Sequence, residues 1–77
     1  MRIQVLGTGC AKCSELTKRT EAAVQQLRLE APVEKVSDIR EIMAFGVMST
    51  PALVVDGKVK FAGRVPAVDE LVTILGS

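Results

Sequence analysis

The sequence contains no histidine, tryptophan or tyrosine and only two phenylalanines, Phe45 and Phe61. Without histidine the chain lacks the commonest general base near neutral pH and the commonest metal ligand. The scarcity of aromatic rings removes the stacking platforms on which single-stranded nucleic acids are held. Charge of one sign is not in excess either: Lys and Arg number 10 against 9 Asp and Glu, a formal net charge of +1 with the signs interspersed. Nucleic acid therefore has no electrostatic footprint on this chain. No apolar run has the length of a signal-peptide core or a membrane span, and the first strand pattern begins at Arg2, directly after Met1. Neither nucleic acid nor membrane is expected as a partner, and a cytoplasmic location is the expectation.

Repeats, linkers and low-complexity stretches are missing as well. A length of 77 residues with 48% hydrophobic and 25% charged residues predicts a single domain over residues 1–77 that folds around one small core.

What is present is a series of short apolar runs separated by turn residues. Arg2 to Leu6 reads as a buried strand ending at Gly7, Thr8 and Gly9. Leu16, Thr20, Ala23, Val24 and Leu27 then recur at helical spacing, which predicts a long helix from about Ala11 to about Leu29. Its charges Glu15, Lys18, Arg19 and Glu21 read as a solvated face. Pro32 blocks helical continuation, and Val33 to Val36 supply a second strand. Asp38 and Glu41 have the spacing of a capping pair, Ile39, Ile42 and Met43 give the next helix one apolar face, and Gly46 is its stop.

Ala52 to Val55 form a continuous apolar run suited to a strand covered on both faces. Asp56 and Gly57 are a strong hairpin signal. The returning strand, Lys58 to Ala62, is expected at a sheet edge with Val59 and Phe61 buried and its lysines wetted. After Gly63 and Pro66, the stripe Val68, Leu71, Val72 and Leu75 predicts a last helix with Asp69 and Glu70 in its first turn. The expected fold is α/β, a four-stranded mixed sheet with three helices in the order βαβαββα.

Chemistry concentrates at Cys10 and Cys13, the only cysteines. With Cys10 at the start of the long helix, the two Cα atoms lie one turn apart, within the reach of a disulfide. Amides of the first helical turn, those of Lys12 and Cys13, and the helix dipole would stabilise a thiolate at Cys10. Cys10 is thus the expected nucleophile, and Cys13, further inside the helix, the resolving thiol that attacks a mixed disulfide. Lys12 between them is assigned a pKa-tuning role. A purely structural staple is disfavoured, because closing so short a loop removes only about 2 kcal/mol from the unfolded state and because a reducing cytosol favours redox or metal-binding pairs. The alternative is a two-thiolate metal carrier or metal-responsive module. Two thiolates suffice for linear Cu(I), and Zn would need a second protomer. Small copper-chaperone domains place CxxC similarly but carry a Met before the first Cys, where this chain has Thr8 and Gly9, and they end on a strand. Met43 and Met48 are read as core or contact residues rather than soft ligands.

Thr50 and Pro51 at the entrance to the apolar strand complete the pattern. With Gly7 through Cys13, then Val47 through Leu53, Asp56 and Gly57, and Gly63 and Arg64, the chain resembles the thioredoxin and glutaredoxin superfamily. It resembles most the very small thioredoxin-like redox-disulfide proteins of archaea and bacteria, over nearly its full length. The resemblance implies a thioredoxin-like fold with Pro51 as a cis proline beside the disulfide and Thr50 as the residue whose backbone meets an extended substrate. It implies a thiol-disulfide oxidoreductase or electron carrier acting without a cofactor or a metal. Its partners would be disulfide-containing proteins and a thiol reductase or low-molecular-weight thiol that recharges it. The dipeptide Ala11-Lys12 differs from the Gly-Pro of thioredoxins, Gly9 stands where they carry Trp, and no counterpart of their buried Asp is found.

Overall fold

β1 (Ile3–Leu6) is buried along its whole length, since helices and neighbouring strands enclose it on every side. It lies inside a sheet of order β2-β1-β3-β4, built with β2 (Val33–Val36), β3 (Ala52–Val55) and β4 (Lys58–Ala62). The computed structural model describes residues 1–9 and 11–76; Cys10 and Ser77 lie outside the described residues. β1 pairs parallel with β2, Ile3 opposite Val33, and antiparallel with β3, Leu6 opposite Ala52. Three helices, α1 (Ala11–Gln26), α2 (Ile39–Ala44) and α3 (Val68–Gly76), complete the α/β fold that the sequence pattern anticipates.

Strand alternation divides the core in two. Ile3, Val5, Leu53, Val55 and Phe61 face α1 and α3, meeting Leu16, Ala23, Val24, Leu71 and Leu75. Leu6, Val36, Ala52 and Val54 face the other way and are covered by Ile42 of α2, with Phe45 and Val47 beside it. Among the described residues, no helix is long and apolar enough to cross a membrane.

Three sequence expectations need correction. α1 ends at Gln26, earlier than the apolar periodicity indicates. Its carbonyls are closed off by Arg28 N–H donating to Gln25 O and Leu29 N–H to Val24 O, with Arg28 left-handed at φ 54°. This is a Schellman stop built on arginine, so no glycine announced it. On α2, only Ile42 is buried; Ile39 and Met43 are 59% and 68% exposed, because six residues cover too little of the sheet to shelter a second apolar row. On β4, Phe61 is buried but Val59 is exposed. The pairing skips a residue there, Leu53 opposite Phe61 and Val54 opposite Val59, and this bulge turns Val59 to the opposite face from Phe61.

The hairpin turn at Asp56 and Gly57 has positive φ at both positions (51° and 81°), as a two-residue turn with the natural strand twist requires. The Asp56 carboxylate accepts from Arg2 N–H at 2.7 Å and Asp56 N–H donates to Arg2 O at 2.8 Å, which pins the hairpin to the start of β1.

Candidate functional site

The sheet register decides which loops meet. Leu6 lies opposite both Val36 and Ala52, and Ala52 lies opposite Ala62. The segments just beyond these residues, Gly7, Ser37, Pro51 and Gly63, therefore emerge at one end of the sheet. Two backbone hydrogen bonds hold them there: Gly7 N–H to Val36 O at 2.9 Å and Gly63 N–H to Pro51 O at 2.8 Å. α1 begins over this end, at Ala11.

Cys13 lies in the first turn of α1 and is 6% exposed. Its sulfur rests against the backbone of Gly7. A Cβ built at Gly7 would fall deep inside the van der Waals radius of Cys13 Sγ and within 3.0 Å of its Cβ, so glycine there makes the room the sulfur occupies. The turn below is braced by Thr17, whose hydroxyl donates to the Cys13 carbonyl at 2.9 Å in the buried interior of the helix face. No acidic residue occupies the first turn of α1, which leaves its amide dipoles unopposed. Cys10, the expected nucleophile, lies outside the described residues.

The Thr50–Pro51 peptide bond is cis. Pro51 is fully buried while Thr50 is exposed, so the ring anchors the loop and Thr50 faces solvent. Gly63 lies against the loop: its φ is +80°, and a Cβ there would come within 2.9 Å of Ser49 Cβ. Met48, two residues before Thr50, is 99% exposed.

Lys12 is exposed and lines a groove of about 450 Å³ between α1 and the β4–α3 connection, together with Glu15, Arg19, Gly63, Arg64 and Val65. Arg19 is more than part of a solvated face, contrary to the sequence expectation. It pairs with Glu15 at 3.0 Å and donates to the carbonyls of Val65 and Pro66, both at 3.2 Å, tying α1 to that connection. Arg64 stacks over Phe61, 5.0 Å from the ring centre, and pairs with Glu70 of α3. The Arg64 hydrogen bond holds the Glu70 carboxyl below the ordinary range, as Arg2 does for Glu34 at 2.8 Å. Among the described residues, no three His, Cys, Asp or Glu side chains converge to hold a metal ion.

Sequence reading did not single out Gly7, Thr17, Arg19 or Gly63 as parts of the site. Thr17 was findable, being four residues after Cys13 on the same helix face. The Gly63 contact with Ser49 joins two loops and becomes visible only with the sheet register, and the Gly7 contact with Cys13 depends on how the chain turns from β1 into α1.

Comparison with known proteins agrees with this geometry. Residues 1–76 match the family described as "Thioredoxin domain". Over 75 residues the chain is 41% identical to a protein named thioredoxin from Methanothermobacter thermautotrophicus, covering 97% of each. Over 69 residues it is 36% identical to a thioredoxin from Methanocaldococcus jannaschii, covering 90% of this chain and 79% of that one. The two-thiolate metal carrier finds no support in these similarities.

Proposed function

Because the chain belongs to the thioredoxin domain family, and is a thiol-disulfide oxidoreductase in its general role, we propose that it reduces disulfides in partner proteins through Cys10 and Cys13, as a single domain in a reducing, cytoplasmic setting. Cys10 thiolate attacks one sulfur of the substrate disulfide; a Cys10–substrate bond forms and the other substrate sulfur leaves with the electron pair. Cys13 thiolate then attacks Cys10 sulfur, forming the Cys10–Cys13 disulfide and expelling the second substrate thiolate. Two electrons pass to the substrate, and the two protons given up by the cysteines are matched by two taken up by its thiolates.

The observation that carries this reading is the seat of Cys13: a nearly buried sulfur in the first turn of α1, packed on Gly7 at the end of the sheet where the Pro51 loop also emerges. A thiol so enclosed is poorly placed for a first encounter with a protein and suits the second step, attack on a bond held by the cysteine three positions earlier in the sequence. Thr50 presents its backbone to an extended substrate segment, Pro51 shapes the groove, and Lys12 at the groove's rim favours the Cys10 thiolate. A thiol reductase or low-molecular-weight thiol returns the electrons.

The test is trapping. Cys13→Ser should accumulate mixed disulfides with partner proteins that non-reducing electrophoresis resolves, and Cys10→Ser should accumulate none and lose insulin-disulfide reduction. Equal trapping by both variants would overturn the assignment of roles.

A further inference from the structure

Alternation along β1 places Gln4 on the face of the sheet that α2 covers, with Leu6, Val36, Ala52 and Val54. It lies opposite Glu34 on one side and Val54 on the other, and it is only 7% exposed. A carboxamide withdrawn this far from water ordinarily finds a hydrogen-bond partner. The side chain of Gln4 has none among the described residues, and neither of its polar atoms is sealed off. Gln4 instead lines an open pocket of about 440 Å³ whose wall also includes Arg2, Glu34, Lys35, Glu41 and Phe45. An apolar side chain of similar size would lie against Val54 with no polar group to satisfy. Glutamine therefore costs the fold stability that a partner for its amide would restore.

The volume falls in the range of small-molecule sites, roughly 300–1,000 Å³, and the wall narrows the kind of molecule. Arg2 and Glu34 neutralise each other through an ion pair of 2.8 Å. Lys35 and Glu41 form no ion pair with a described residue, so the wall keeps one uncommitted charge of each sign. The Gln4 carboxamide can donate to a peptide carbonyl or accept from a peptide N–H. A ligand that meets all three groups carries an amide between an ammonium group and a carboxylate.

We propose that this pocket binds a short peptide in its zwitterionic form, of dipeptide size, with the peptide bond on Gln4, the ammonium group toward Glu41 and the carboxylate toward Lys35. The site takes no part in the disulfide chemistry, since it lies under α2, on the face of the sheet opposite α1.

The experiment titrates ¹⁵N-labelled protein with glycylglycine and follows the amide signals by NMR. The side-chain NH₂ signals of Gln4 and the backbone signals of Glu41 and Phe45 should shift together and saturate, with half-saturation at about 1–10 mM for so small a ligand. Glycine carries both charges without the amide, and N-acetylglycinamide carries the amide without the charges; each should bind about fivefold more weakly or worse, having lost the contacts of one part. Gln4→Leu should lose the response to glycylglycine while reducing insulin at the wild-type rate. Glu41→Gln, an exposed change that leaves the core untouched, should weaken glycylglycine by about fivefold, and it carries the test if Gln4→Leu does not fold. A titration that never saturates, a response to glycine or N-acetylglycinamide equal to that of glycylglycine, or binding undiminished in either variant overturns the site.

Discussion

Gly7 and Cys13 form a pair in which the absence of one side chain is the condition for the position of the other. The Gly7 backbone is fixed by its hydrogen bond to Val36 O at 2.9 Å and cannot retreat from an added methyl group. Gly7→Ala should therefore cost about 1–3 kcal/mol in urea unfolding, the usual penalty for overpacking. Most of that loss should disappear when the colliding sulfur is removed in Gly7→Ala/Cys13→Ala, a coupling that a double-mutant cycle measures directly. Additive losses would mean that the methyl group meets something other than the sulfur. Glu70 offers a second test at the same scale. Its carboxyl is held below the ordinary 4.5 by the Arg64 hydrogen bond, so the stability it adds is present above that value and is lost as pH falls through the lower folded-state value. The difference in melting temperature between wild type and Glu70→Gln should be small, steady near neutrality, and close as pH drops below 4.5. Both partners are exposed, and salt should narrow the gap further. A gap that widens in acid would contradict the pairing.

At the scale of elements, α1 stops where arginine adopts a conformation usually left to glycine. Arg28 at φ 54° carries a strain that glycine would not. Arg28→Gly should raise stability by about 0.5 kcal/mol, the relief being partly offset by the freedom glycine adds to the unfolded chain, as denaturant unfolding would show. The same helix shows what a sequence can and cannot disclose. Its start within the cysteine motif and its buried row Leu16, Thr20, Ala23 and Val24 follow from spacing alone, and so do β3 and the Asp56-Gly57 turn. Its end did not, because Leu27 and Leu29 continue the apolar count beyond the last helical residue and pack as part of the loop. The bulge in β4 was hidden for a related reason: Lys58 to Ala62 alternates without fault, and only pairing with β3 reveals that Val59 and Phe61 lie on opposite faces. Ile39 and Met43 read as core because periodicity reports an apolar face without reporting whether anything covers it.

For the whole molecule, the site is a product of register. Loops from four strands reach one end of the sheet only because β3 runs against β1 and β4 runs against β3, and this places Gly7, Ser37, Pro51 and Gly63 around the start of α1. The two cysteines and Pro51 were legible in the sequence as chemistry and resemblance. The contacts that seat Cys13 were legible only in part: Thr17 follows from helical spacing, whereas the folded turn from β1 into α1 is needed to bring the Gly7 backbone against the Cys13 sulfur. A small core supports this arrangement, with α1 and α3 locked together through Leu16, Ala23, Leu71 and Leu75, and Arg19 of α1 tied to the connection that leads into α3. A device with so little interior can hold one thiol away from water with few residues, and the demand on the fold is to keep that thiol in reach of its partner. The central claim is that Cys10 and Cys13 act as one two-electron couple, and equilibrating metal-free protein in a graded series of thiol-disulfide buffers while counting free thiols tests it most directly. The account predicts a single reversible transition in which both thiols appear together at a midpoint between about −180 and −300 mV, whereas a pair that stays reduced throughout, or thiols that titrate one at a time, would contradict it.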